Sequence, residues 1–118
     1  MPDALKASDV TIILTQDDIE RSDRGVFTRP TVIFGDGADT YPALGVPMPP
    51  ISKFGPTFRI DRVFIEQPAN GYVYHFDRTN QKIRIFQGDN AAGAAGPLVE
   101  LGAVAVPATT LYLLVMGR

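Results

Sequence analysis

The parts from which a hydrolase is usually assembled are scarce in this chain. It holds one histidine, His75, and no cysteine. A serine or threonine nucleophile needs a base within hydrogen-bond reach, and that base needs a third group to orient it. His75 falls in the middle of an alternating stretch, Tyr72 to Asp77, where it reads as a solvent-facing strand residue opposite Arg84. That neighbour does not activate it. The serines are Ser8, Ser22 and Ser52, each in a segment that reads as a connection. No catalytic residue is expected, and the chain reads as a non-enzyme.

Three carboxylate groups remain. Asp36 and Asp39 flank Gly37 in a way that weakly resembles a calcium loop. Such a loop needs acidic residues at alternating positions and a closing glutamate, and neither follows here. Asp17, Asp18, Glu20 and Asp23 are interleaved with Arg21 and Arg24, the pattern of a solvated connection. Asp61 and Glu66 lie five apart on a strand and so face opposite sides, which separates them as a glycosidase pair. No glycine-rich phosphate loop and no metal-ligand spacing occurs. No cofactor and no metal site is expected.

The aromatic row Tyr72, Tyr74 and Phe76 is the remaining chemical feature. One face of alternating rings on a β-sheet is either a sugar-stacking platform or core. Ile83 and Ile85 supply apolar partners across the following turn, which favours core. A carbohydrate-binding module stays open as the alternative from another functional class.

The elements that carry these residues follow from composition. At 118 residues with 45% hydrophobic and 20% charged content, the chain suits one globular domain with a modest core, residues 1–118. Eleven glycines and ten prolines leave little room for long helices. A net charge of −2 without a basic run gives nucleic-acid binding no electrostatic support. Asp3, Lys6 and Asp9 interrupt any signal-like apolar run at the start. Leu101 to Met116 is sixteen residues without a charge. That is shorter than the roughly 20 residues of a spanning helix, with Pro107 inside it, so two strands and a turn are expected instead of a membrane segment.

Period-two alternation predicts strands at Asp9–Gln16, Val26–Phe34, Phe58–Gln67, Tyr72–Asp77, Ile83–Gln87, Leu98–Val106 and Thr109–Met116. Asp17–Arg24 reads as a charged connection with at most one helical turn. Pro30 lacks a backbone N–H, which predicts an edge strand or a bulge there. Asn70-Gly71 predicts a hairpin joining Phe58–Gln67 to Tyr72–Asp77. In the next turn, a four-residue loop sets Phe76 against Ile83 and Tyr74 against Ile85 on one face. It sets His75 against Arg84 and Asp77 against Lys82 on the other. A one-residue slip would mix the two faces, so the four-residue loop is favoured. Gly88–Gly96 reads as a flexible loop, and the last two strands as a pair. About eight strands with no convincing helix predict an all-β, antiparallel two-sheet sandwich, jelly-roll-like, whose strand order cannot be read from one sequence.

Two segments read as contact elements. Residues 40–56 form a Pro-rich extended loop, with Pro42, Pro47, Pro49 and Pro50; residues 1–8 form a charged N-terminal arm. Tyr41, Leu44, Val46 and Met48 are the apolar anchors of the loop. Deleting Ala43–Pro49 is expected to leave the β domain folded but to abolish attachment to the partner, since prolines lower the entropy lost when a pre-extended arm docks. The last strand is apolar on both sides, Leu111, Leu113 and Val115 against Tyr112, Leu114 and Met116. A strand apolar on both sides is either central in a two-layer core or covered by a subunit neighbour.

The segments GDG-x-x-TYP-x-x-GVP and KFG, followed by GYVY-x-x-D-x-x-N-x-KIRI-Q, PLVELG and ATTLY, together resemble a family of small β-rich virion proteins of tailed bacteriophages. The resemblance covers about two thirds of the chain. It implies a non-enzymatic structural subunit, foremost a capsid decoration (cement) protein, with a tail or head–tail connector role as the runner-up. It implies as partners the major capsid protein and copies of the chain itself, a trimer being favoured. It implies a place on the capsid surface after synthesis in the host cytoplasm. On that reading Tyr41, Leu44, Val46, Met48, Tyr112, Leu114 and Met116 are the candidate partner contacts.

Overall fold

A computed structural model describes residues 3–56, 58–88 and 98–118. Most of the loop expected at Gly88–Gly96 lies outside the described residues. The fold is all-β, a sandwich of two antiparallel sheets. The strands are β1 (Thr11–Ile13), β2 (Ile19–Ser22), β3 (Gly25–Thr28), β4 (Thr31–Phe34), β5 (Val46–Pro47), β6 (Ile60–Glu66), β7 (Tyr72–Asp77), β8 (Lys82–Gly88), β9 (Leu98–Glu100) and β10 (Thr109–Gly117). Short 3₁₀ turns at Ala7–Asp9, Gln16–Asp18 and Ile51–Phe54 are the only helical pieces among the described residues.

The first sheet is built around β10. One edge of β10 pairs with β6, and the other pairs with β4 along its first half and with β3 along its second. Tyr112 pairs with Thr31 and Val115 with Thr28, three residues on along each strand. So β3 and β4 are one run in unbroken register, divided only at Arg29-Pro30. On the far side β1 pairs with β4 and β2 with β3, so Pro30 is neither at an edge nor in a bulge. It is tolerated because its carbonyl still accepts from the Leu113 N–H at 3.1 Å; only the reciprocal bond is lost. The expected charged connection contains a strand: Ile19–Ser22 turns back through Asp23-Arg24 into β3.

The second sheet centres on β8, with β7 along one edge and β5 and β9 along the other. The four-residue turn after β7 has the expected register, Phe76 on Ile83, Tyr74 on Ile85, His75 on Arg84 and Asp77 on Lys82.

Two expected hairpins are not hairpins. β6 and β7 belong to different sheets, as do β9 and β10. Gln67 stands in for the missing neighbour of β7: its side-chain amide donates to the Tyr74 carbonyl, and its carbonyl oxygen accepts from the Tyr74 N–H, both at 2.9 Å. Gly71, at φ +87°, supplies the positive dihedral that a tight reversal needs, but here the chain uses it to cross between sheets.

The core lies between the sheets. Val32, Phe34, Leu111, Leu113 and Val115 from the first sheet meet Val46, Tyr74, Phe76, Ile83 and Ile85 from the second. Phe54 and Phe76 pack edge to face, centroids 6.1 Å apart. The Thr28 hydroxyl, fully buried, donates to the Phe54 carbonyl at 2.5 Å. Every buried side-chain polar atom described has a hydrogen-bond partner, as a well-specified interior requires.

Candidate interaction surface

The Pro-rich loop is not a free arm. Tyr41, Val46 and Met48 are buried in the core, and β5 is a strand of the second sheet. These three are therefore structural anchors and cannot offer side chains to a partner. Leu44 alone projects into solvent, from a backbone at φ +67°. A proline-rich segment with apolar residues fits either role in sequence. The sheet claims it because β8 has an edge to be covered, and pairing satisfies backbone groups that a free arm would leave to water.

Tyr41 shows how the loop is pinned. Its hydroxyl accepts from the Ile85 N–H at 3.1 Å and donates to Glu100. The Leu101 N–H donates to the Ile85 carbonyl at 2.9 Å. Together they close the β8 edge where β5 has ended and β9 has not begun. Glu100 also receives two bonds from Arg84, at 2.8 and 3.2 Å, while the Arg84 guanidinium lies 5.3 Å from the Phe86 ring centroid. The Arg84 bonds hold the Glu100 carboxyl below its ordinary range, with the Tyr41 hydroxyl assisting. Burial first, and then Glu100, pushes the Tyr41 phenol up. The cluster is a structural clasp.

The other sequence candidates sort by face. Tyr74 and Phe76 are buried and Tyr72 packs beside them. The Tyr74 hydroxyl accepts from the Asn70 side-chain N–H at 2.9 Å, so the row offers no stacking platform. His75 is exposed opposite Arg84. One Asp36 carboxylate oxygen accepts from the N–H groups of Ala38 and Asp39, both at 2.8 Å, which holds that carboxyl below its ordinary range. The pair closes a turn. No group of three or more histidine, aspartate or glutamate residues placed to hold a metal occurs among the described residues.

The surface that stands out is the outer face of the first sheet. On β10 the inward residues Leu111, Leu113 and Val115 are buried, whereas Tyr112 and Leu114 are 57% and 39% exposed and Met116 is half-buried. Phe64 on β6 (57%) lies beside Leu114, Phe27 on β3 (43%) beside Met116, and Ile13 on β1 (48%) beyond Thr31. Neighbouring strands are about 4.8 Å apart, so these side chains form one patch. It surrounds a shallow depression lined by Arg29, Thr31, Phe64, Glu66, Tyr112 and Leu114. Isolated exposed apolar residues are ordinary, but a contiguous patch on a rigid sheet marks a binding surface.

The structure thus brings together Tyr112, Leu114 and Met116 of the expected contacts, and adds Phe27, Phe64 and Ile13. A signal for Phe64 was available: it alternates with Val63 and Ile65 and stands between Arg62 and Glu66, on the charged side of its strand. No helix among the described residues is long and apolar enough to cross a membrane.

Comparison with protein-family models, with curated proteins and with solved structures finds no match to this chain.

Proposed function

We propose that this protein is a non-enzymatic structural subunit of a tailed-bacteriophage particle, a capsid decoration protein that reinforces the head by protein–protein contact. The observation that carries an assembly role is the apolar outer face of β3, β6 and β10, displayed on a sheet whose other side is locked into the core. An assembly contact needs such a preformed surface, because little order is then lost on docking. The virion setting rests on the resemblance of the Gly35–Pro47, Lys53–Gly55 and Gly71–Gln87 segments to phage structural proteins. The partners on this reading are the major capsid protein and further copies of the chain. Many copies on one shell let individually weak contacts add up. The chain would be made in the host cytoplasm and end on the capsid surface.

The test is direct. Phage heads and tails are separated, and the chain is sought in each by mass spectrometry. Recovery with heads, in a copy number comparable with the shell subunits, is the expected result. Recovery with tails alone would move the protein to a tail or connector role. Absence from purified particles would end the virion reading.

A further inference from the structure

We infer that the end of the sandwich around Phe58 binds single-stranded nucleic acid, with a base stacked on the Phe58 ring and the flanking phosphates held by arginines. This goes beyond the assembly role and uses none of the apolar side chains of the outer face. No stretch of the sequence is basic, so net charge alone gave nucleic-acid binding no support. The fold gathers what the sequence scatters. Two adjoining hollows lie where β2 turns into β3 and β6 begins, and Phe58 lines both. Arg21, Arg24 and Arg118 stand around one of them, with Asp23. Arg59 and Arg78 stand around the other, with Asp61. Five arginines against two aspartates leave a local charge of +3, on a chain whose net charge is −2.

Three features separate this end from an ordinary solvated one. The first is unspent charge. The ion pairs among the described residues are Arg29–Glu20, Arg59–Asp61 and Arg84–Glu100, so Arg21, Arg24, Arg78 and Arg118 pair with no carboxylate described. The second is positioning. The Arg118 Nε–H donates to the Arg24 carbonyl at 3.2 Å, and the Arg78 guanidinium donates to the Asp61 carbonyl. Each fork keeps further N–H donors, and a fork already held at one donor loses less freedom when the others meet a phosphate. The third is the ring. Phe58 is 83% exposed, the most of any large apolar residue described, yet its backbone is fixed. Its N–H donates to the Arg118 carbonyl, and Arg59 and Arg118 exchange backbone bonds at 2.9 and 3.0 Å. A ring held in water between two cationic hollows can stack a base while the phosphates on either side reach arginines. Acidic side chains of a protein would answer the arginines and leave the ring wet. A nucleic-acid strand answers both, and because every base has a π-face, sequence preference should be weak.

The test is fluorescence anisotropy of a labelled oligothymidylate of about 12 nucleotides, titrated with the full chain at about 50 mM salt. An oligouridylate of the same length is run in parallel to assign the sugar. Saturable binding of at least one, with a Kd of about 100 μM or tighter that weakens as salt rises, is the expected result. Phe58→Ala should weaken binding by about five- to a hundredfold, the loss of one stacked base. Its circular dichroism and melting temperature should not change, because the ring is already in water. Arg24→Gln and Arg78→Gln should each lower the slope of log K against log salt by about 0.7. Phe64→Ala, on the outer face, should leave oligonucleotide binding as it is. Unchanged anisotropy up to about 300 μM chain overturns the proposal. So does binding that Phe58→Ala leaves intact. Displacement of the oligonucleotide by a polyglutamate peptide at equal concentration of charge also overturns it, and would make this end a dock for an acidic protein. Recovery of the chain with phage heads, or its absence, decides the assembly reading without touching this one.

Discussion

The Tyr41 hydroxyl replaces a strand. It satisfies the Ile85 N–H in the gap between β5 and β9, where the Leu101 backbone N–H serves only the Ile85 carbonyl. Tyr41→Phe leaves that buried N–H without an acceptor and should cost about 1–3 kcal/mol, read from urea unfolding. The same clasp sets a pH window. The Glu100 carboxyl is held below its ordinary value of 4.5 by Arg84 first and by Tyr41 as well. Its contribution is therefore present above that value and lost as pH falls through the lower folded-state pKa. The Tyr41 phenol is raised above its ordinary 10.0, so its contribution is present below pH 10 and lost as pH rises further. Glu100→Gln should flatten the acid limb of the stability profile, and Tyr41→Phe the alkaline one. Unchanged limbs would show that the clasp carries no stability. Tyr74, buried against Ile85, should cost roughly 3–5 kcal/mol when cut to alanine. A sugar-stacking surface tyrosine would instead leave the melting temperature nearly unmoved.

At the scale of elements, two glycines with similar dihedrals do different work. Gly55 lies at φ +111°, and a Cβ built there would sit 2.3 Å from Thr28 Cγ2, where the Thr28 hydroxyl binds the Phe54 carbonyl. Gly71 lies at φ +87° with open space around it. Gly71→Ala meets only the backbone penalty and should cost about 1 kcal/mol, whereas Gly55→Ala adds a core clash and should cost about 3 kcal/mol or more. Similar losses at the two sites would refute the packing account. The pair also shows where sequence reading stops. The β7–β8 register was legible, because only one loop length separates polar from apolar side chains. The destination of β6 was not: Asn70-Gly71 reports a local reversal, and that geometry serves a hairpin and a crossing between sheets equally. The buried Tyr41, Val46 and Met48 were legible as apolar anchors but not as core. Whether an apolar residue in an extended loop meets its own sheet or another molecule depends on an edge distant in sequence.

At the scale of the whole molecule, β10 holds the arrangement together, pairing with β3, β4 and β6 while its two faces meet different surroundings. The sequence showed that both faces are apolar without showing which one the second sheet covers. Leu113 and Leu114 put this to the test, being adjacent, identical and opposite in direction. Leu113 faces the core and is buried. Leu113→Ala should cost about 2–5 kcal/mol at any protein concentration, through lost burial and the cavity left behind. Leu114 lies on the outer face, where in a single copy it is already partly in water. Leu114→Ala should therefore change the stability of dilute protein by about 0.5 kcal/mol or less. Any larger effect should appear only at concentrations where copies associate, since binding stabilises the folded state by mass action. Urea unfolding of both variants at several protein concentrations reads the difference. Equal, concentration-independent losses would mean that the outer face is packed within one chain, and the surface argued for above would not exist.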